Sequence, residues 1–135
     1  VILMYTRVKD VSALSGKQSL LSVNLYETNV SDVTCLDACG RLDYLELGRT
    51  LVSSLDDAGG GGSVTQLSLI GLKLDSLSGI EKYPYLKTLN LSDADVGSLE
   101  ALKNLPALKE IRANGELYEK LAGMFAGTDV SIVEP

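Results

Sequence analysis

Apolar residues in this chain fall into columns that recur every 22 positions. Counting from Leu20, one column holds Leu42, Val64, Leu86, Leu108 and Val130. Three residues further on run Val23, Leu45, Leu67, Leu89, Ile111 and Val133, with Val1 one step earlier. Two more residues give Leu3, Leu25, Leu47, Leu69, Leu91 and Ala113. A fourth column holds Val8, Val30, Val52, Leu74, Val96 and Tyr118, and a fifth Val11, Val33, Leu55, Leu77, Leu99 and Leu121. The sixth holds Leu14, Leu36, Ala58, Ile80, Leu102 and Met124. Each copy therefore has the form L-x-x-L-x-L-x-x-T-x-V-x-x-L-x-x-L. Its first half alternates apolar and polar residues, which is the period of a strand. Its second half spaces apolar residues by three, which suits an extended or 3-10 return segment. One copy has no way to bury its own apolar stripe, so successive copies must stack to make a continuous core.

Smaller columns obey the same frame. Asp10, Asp32, Ser54, Ser76 and Ser98 stand where each return segment begins, and these residue types accept bonds from orphan backbone N–H groups. Thr6, Thr28 and Thr50 share a position from which a hydroxyl can bond the loop backbone. Ala13, Cys35, Gly79 and Ala101 form a column of small residues, consistent with close backbone approach.

The fold expected is an α/β solenoid: a curved, right-handed stack with a parallel sheet of about seven short strands, a mostly irregular or 3-10 convex side and one C-terminal helix. It forms a single domain over residues 1–135. A partial first repeat spans 1–19, followed by repeats 20–41, 42–63, 64–85 and 86–107, a helical capping repeat 108–129 and a final strand in 130–135. Within the cap, Glu116 to Phe125 reads as an amphipathic helix with Leu117, Leu121, Met124 and Phe125 inward. The chain starts part-way through a copy without an initiator Met, which reads as a fragment whose first layer leaves Val1, Leu3, Val8 and Val11 open. Gly59-Gly60-Gly61-Gly62-Ser63 fits a native low-complexity loop and an engineered linker equally well. With Ala58 in place of Leu or Ile, that layer is expected to be the least well packed.

Composition narrows the functional classes. The chain has no His, which removes the commonest general base and metal ligand. A net charge of -6 without a Lys/Arg stripe makes nucleic acid an unlike partner. No apolar run reaches the ~20 residues of a membrane span. Cys35 and Cys39 are the only cysteines. They make no disulfide framework and fit a reduced, intracellular setting, with a cytoplasmic one expected.

The segments "LLSVNLYETNVSDVTCLDAC" and "LKTLNLSDADVGSLEALKNLPALKEI" resemble the 22-residue class of leucine-rich repeat. That class occurs in the leucine-rich regulatory subunit of protein phosphatase 1 and in bacterial internalins. The T-x-V-S-D-V-x-x-L-x-x-C wording is also similar to kinetoplastid leucine-rich repeat proteins. The resemblance implies a curved parallel sheet whose concave face binds protein. It names no partner, because such repeats serve many.

No catalytic constellation emerges. Two thiols four residues apart do not complete a zinc site. Asp93-Ala94-Asp95 and Asp56-Asp57 lack EF-hand spacing and read as solvated loop charge. The glycine run lacks the Lys-Ser/Thr of a phosphate loop. The expectation is therefore a non-enzyme with no cofactor and no metal.

Strand alternation sends Ile2 and Met4, Ser22, Asn24 and Tyr26, Tyr44, Glu46 and Gly48, Gln66, Ser68 and Ile70, Thr88, Asn90 and Ser92, and Glu110, Arg112 and Asn114 away from the core. The partner-binding residues expected among them are Tyr26, Tyr44, Glu46, Gln66, Ser68, Ile70, Asn90, Glu110 and Arg112. Tyr26, Tyr44 and Ile70 would group across adjacent strands, flanked by Glu46, Glu110 and Arg112. The expected function is a scaffold or adaptor holding a partner protein. The alternatives are a structural subunit held by its open N-terminal end and edges, through which it could also self-associate, or a regulatory segment of an enzyme whose catalytic domain lies outside this chain.

Overall fold

The computed structural model describes residues 1–135. Its strands are short: β1 (Ser22–Asn24), β2 (Tyr44–Glu46), β3 (Gln66–Ser68), β4 (Lys73–Leu74), β5 (Thr88–Asn90), β6 (Asp95–Val96), β7 (Glu110–Arg112) and β8 (Ser131–Val133). One helix, α1, spans Gly115–Met124. At the centre of β1, β2, β3, β5 and β7 stand Val23, Leu45, Leu67, Leu89 and Ile111, all buried. The residues on either side of each point to the opposite face.

Six strands form one parallel sheet in the order β1-β2-β3-β5-β7-β8. Ser22, Tyr44, Gln66, Thr88 and Glu110 lie side by side across it, as do Asn24, Glu46, Ser68, Asn90 and Arg112. The register from β1 to β7 therefore advances by the sequence period. The expected seventh rung is reduced to a single bridge, Ile2 beside Asn24. A second, two-stranded parallel sheet, which the pattern did not anticipate, pairs β4 with β6.

Between strands the chain returns through 3-10 turns at Ser12–Leu14, Thr34–Ala38, Leu55–Asp57, Ile80–Lys82 and Glu100–Asn104. The cap column acts as its chemistry dictates. Asp10, Asp32, Ser54 and Ser76 each accept the backbone N–H two residues on, at 2.8, 2.9, 3.1 and 3.2 Å. Hydrogen bonds from Ser12 and Thr34 hold the Asp10 and Asp32 carboxyls below their ordinary range. Ser98 departs from the column and offers its carbonyl to the Leu77 N–H at 3.2 Å. The Thr6, Thr28 and Thr50 hydroxyls donate to the carbonyls of Leu3, Leu25 and Leu47 at 2.6, 2.8 and 2.7 Å.

A further column has no apolar signature. Tyr5, Glu27, Arg49, Gly71, Asp93 and Gly115 lie 22 residues apart, and all have positive φ, between 51° and 68°. This is the left-handed turn that takes the chain off each strand. Four of the six are not glycine, so the fold imposes a conformation that L-residues disfavour.

Several expectations need correction. The last rung is one residue short: Ile132, not Val133, pairs with Ile111. Val133 falls opposite Arg112 and is exposed. The helical return takes up one residue less than the 3-10 returns, so every later side chain changes face. Val11, expected open, is buried; the Cys35 thiol of the following copy donates to its carbonyl at 3.4 Å.

The glycine layer is the largest departure. Ala58, Gly59, Gly60 and Gly61 are buried rather than loose. Tyr83 sits one frame step after Gly61 and is the largest fully buried side chain. Its hydroxyl donates to the Gly59 carbonyl at 2.8 Å. Lys82 Nζ donates to the Ala58 carbonyl, and Asp37 accepts the Gly60 N–H at 2.9 Å. The missing side chains at Gly59 and Gly61 leave room that the neighbouring turns occupy. Burial, then the Asp37 charge, pushes the Tyr83 phenol far above its usual range, so it stays a donor.

A Cβ at Gly61 would meet the Lys82 carbonyl oxygen at 2.3 Å, and one at Gly59 the Val33 carbonyl oxygen at 2.3 Å. A Cβ at Gly62 would meet nothing within 4 Å, and its φ is not positive. Gly59→Ala and Gly61→Ala are each expected to cost about 1–3 kcal/mol in denaturant unfolding. Gly62→Ala should be neutral or stabilising by up to about 1 kcal/mol; equal responses at the three positions would contradict the packed loop. At Gly115 a Cβ meets nothing, but φ is +61°. Gly115→Ala should therefore lose about 1–2 kcal/mol through backbone conformation alone, and an unchanged unfolding midpoint would dismiss the left-handed column as a constraint.

Candidate functional site

The side of the six-stranded sheet turned away from the core is an ordered array of side chains. One row holds Ser22, Tyr44, Gln66, Thr88 and Glu110; the next holds Asn24, Glu46, Ser68, Asn90 and Arg112. Tyr26, Gly48, Ile70, Ser92 and Asn114 continue two residues beyond the second row. The array is flat in hydrogen bonding and varied in chemistry, because the core uses only the alternate positions.

Tyr26 and Ile70 both crowd the space above Gly48. A Cβ on Gly48 would sit 2.9 Å from Tyr26 Cδ2 and 3.0 Å from Ile70 Cβ. Two residues that the pattern missed join them. The Tyr5 ring packs edge-on against Tyr26, with centroids 5.6 Å apart and planes at 81°. The Arg49 guanidinium lies over the same ring at 5.9 Å and stands 4.0 Å from Glu27. Tyr5 and Arg49 both belong to the left-handed column, whose turn brings them to this rim. Gly71 and Gly115, spaced by two periods, were the sequence signal of that turn.

Tyr44 is not part of that group. Glu46 stands between, and it is buried rather than flanking. Its Oε1 accepts the Gly48 N–H at 2.6 Å, and its Oε2 accepts the Tyr44 hydroxyl at 3.3 Å. The carboxylate thus spends itself on the first turn after β2 instead of facing outward. Burial, followed by the nearby Glu46 charge, raises the Tyr44 phenol above its ordinary range.

Tyr44 opens instead on a shallow pocket of about 140 Å³, with Gln66, Ser68, Thr88, Asn90 and Arg112 around it. Arg112 Nε donates to Glu110 Oε1 at 2.8 Å, so the cation is paired. Asn90 lines the pocket, and its Oδ1 accepts from the Ser92 N–H and hydroxyl at 3.0 and 2.7 Å, which leaves its NH2 group uncommitted. Ser68 is 3% exposed, and its hydroxyl alone among buried side-chain polar atoms lacks a hydrogen-bond partner. Such a group costs about 1–3 kcal/mol relative to a satisfied one. The nine expected residues therefore divide into an aromatic patch with Tyr26 and Ile70, a buried Glu46, a pocket group with Tyr44, Gln66, Ser68, Asn90 and Arg112, and Glu110, which lies outside the pocket lining and pairs with Arg112.

The remaining chemistry is structural. Cys39 is buried and donates to the Leu14 carbonyl at 3.1 Å. Cys35 is half-buried, and burial followed by the adjacent Cys39 raises its thiol above the usual range, away from thiolate character. Asp93 and Asn114 exchange two hydrogen bonds of 2.8 Å, which fasten the turn before α1. No three His, Cys, Asp or Glu side chains converge as a metal site requires, and no helix is long and apolar enough to cross a membrane. Compared with models of known families and with curated proteins, the chain finds no match, so the chemistry of the open face rests on its own geometry.

Proposed function

We propose that this chain is a leucine-rich repeat solenoid of the 22-residue class that holds a partner protein on the outward, concave side of its sheet. The parallel register, advancing by 22 residues from β1 to β7, supports the solenoid reading. The observation that carries the function is the pairing on one face of an aromatic patch with a polar pocket. Tyr5, Tyr26 and Ile70 supply apolar area with few rotamers to freeze, while Tyr44, Gln66, Asn90 and Arg112 supply directional bonds. Tyr and Arg are the residue types that anchor protein interfaces. Most side chains of this surface point away from the core, so their chemistry is largely free of its packing demands.

A partner seated there would bury both tyrosines. Truncating such anchors costs about 2 kcal/mol or more, a loss of some thirtyfold in affinity. The expected result is that Tyr26→Ala with Tyr44→Ala abolishes capture of the physiological partner, identified by affinity capture and mass spectrometry, while the variant still unfolds in one cooperative transition. Capture that survives the double substitution would remove the outward face from the mechanism. Turnover of any substrate by the purified chain would reopen an enzymatic role.

A further inference from the structure

The pocket between Tyr44, Gln66, Ser68, Thr88, Asn90 and Arg112 has its own ligand chemistry. At about 140 Å³ it is smaller than the ~300–1,000 Å³ usual for a metabolite or cofactor. Its size suits the head of one side chain. Its floor includes Ser68, whose hydroxyl is buried without a partner. That hydroxyl is shielded in the free protein, and a ligand bonds it once rotation about χ1, which leaves the backbone in place, turns it towards the pocket. Asn90 contributes an amide NH2, since its oxygen is already engaged by Ser92. Gln66 and Thr88 contribute both donors and acceptors. The Arg112 charge is matched by Glu110 at 2.8 Å, and the Glu46 carboxylate lies behind Tyr44 at 3.3 Å. The formal charge around the pocket is therefore net negative. The net charge disfavours an incoming carboxylate even with the terminal Arg112 NH2 groups uncommitted, and an ammonium would find no free carboxylate, whereas a neutral group that both donates and accepts matches the amides and hydroxyls of the lining.

We propose that this pocket takes the side-chain carboxamide of an asparagine or glutamine on the partner protein. The inference rests on the partner-binding reading of this face and specifies what one point of it recognises. The carboxamide oxygen takes bonds from Asn90 and Ser68, and its NH2 group gives bonds to Gln66 and the Tyr44 oxygen. The buried hydroxyl then gains the partner that the free protein does not provide.

The test is selection of a random linear peptide library displayed on phage against the complete chain, followed by affinity measurements on synthetic copies of the winners. The expected winners share an Asn or Gln at one position and lose binding on the Tyr26→Ala, Tyr44→Ala double variant. Changing that residue to Asp or Glu in the peptide, which leaves the protein untouched, should weaken binding about tenfold or more, because buried groups of the pocket are left unpaired. Ser68→Ala should weaken it about three- to tenfold, with unfolding unchanged or shifted towards greater stability. Winners that need the two tyrosines but tolerate the acid, or ignore Ser68→Ala, overturn the pocket and spare the face. A library that yields no winners, or only winners indifferent to the double tyrosine variant, overturns both.

Discussion

A strand of three residues is too short to be stable alone. It buries one side chain on its inner face, and its backbone groups are satisfied only by strands on either side. In this chain every main strand except the outermost has a parallel neighbour on each edge, and each central Val, Leu or Ile lies against the equivalent residue of the next. The constraint that follows is one of phase. From β1 to β7, each excursion must return to the sheet after the same number of residues, or the inward and outward sets exchange. The last rung shows what a change of phase does: with one residue fewer, Ile132 turns inward and Val133 outward.

Phase in turn governs what the return path is allowed to contain. The first three 3-10 turns begin beside a carboxylate or hydroxyl because their first N–H groups need acceptors there, and the Asp/Ser column supplies them. β1, β2, β3, β5 and β7 each leave the sheet through a left-handed residue, whether or not glycine occupies it. Where the side-chain volume of one copy falls, a neighbour compensates rather than leaving a void. Gly59 and Gly61 bring backbones of adjacent copies together, and Tyr83 buries its ring and spends its hydroxyl on the Gly59 carbonyl. Close packing of this kind is what interiors demand, and it turns a run that looks like flexible spacer into a close contact between copies.

The aliphatic columns were legible because burial of an alternating stripe needs no knowledge of its neighbours. The six columns, the 3-10 returns and the C-terminal helix all follow from period alone. The glycine layer was not legible, since composition describes a chain in isolation and Gly59 is defined by Val33 and Tyr83 in other copies. Nor was the left-handed column, which is marked by backbone geometry and carries Tyr, Glu, Arg and Asp as readily as Gly. On the open face, alternation correctly identified which side chains leave the core. It did not say what they do there: Glu46 leaves the core and folds onto the Gly48 N–H.

That last distinction bears on how such a face becomes selective. Outward residues have little part in burial, so most substitutions among them cost the fold little. A side chain on this face that is costly to the free protein is therefore more informative than one that is merely exposed. Tyr26 is half-buried, with Tyr5 edge-on to its ring and Arg49 over it. Glu46 is satisfied by the turn it closes. Ser68 differs, since alanine in its place would remove an unpaired hydroxyl and keep the same backbone. Discrimination between ligands comes mostly from polar groups that a wrong ligand leaves unpaired, while apolar contact supplies affinity with little selectivity. By that rule, under the proposed function, the aromatic patch at the first rungs would supply hold on a partner, and the region around β3 and β5 would decide which partner is held.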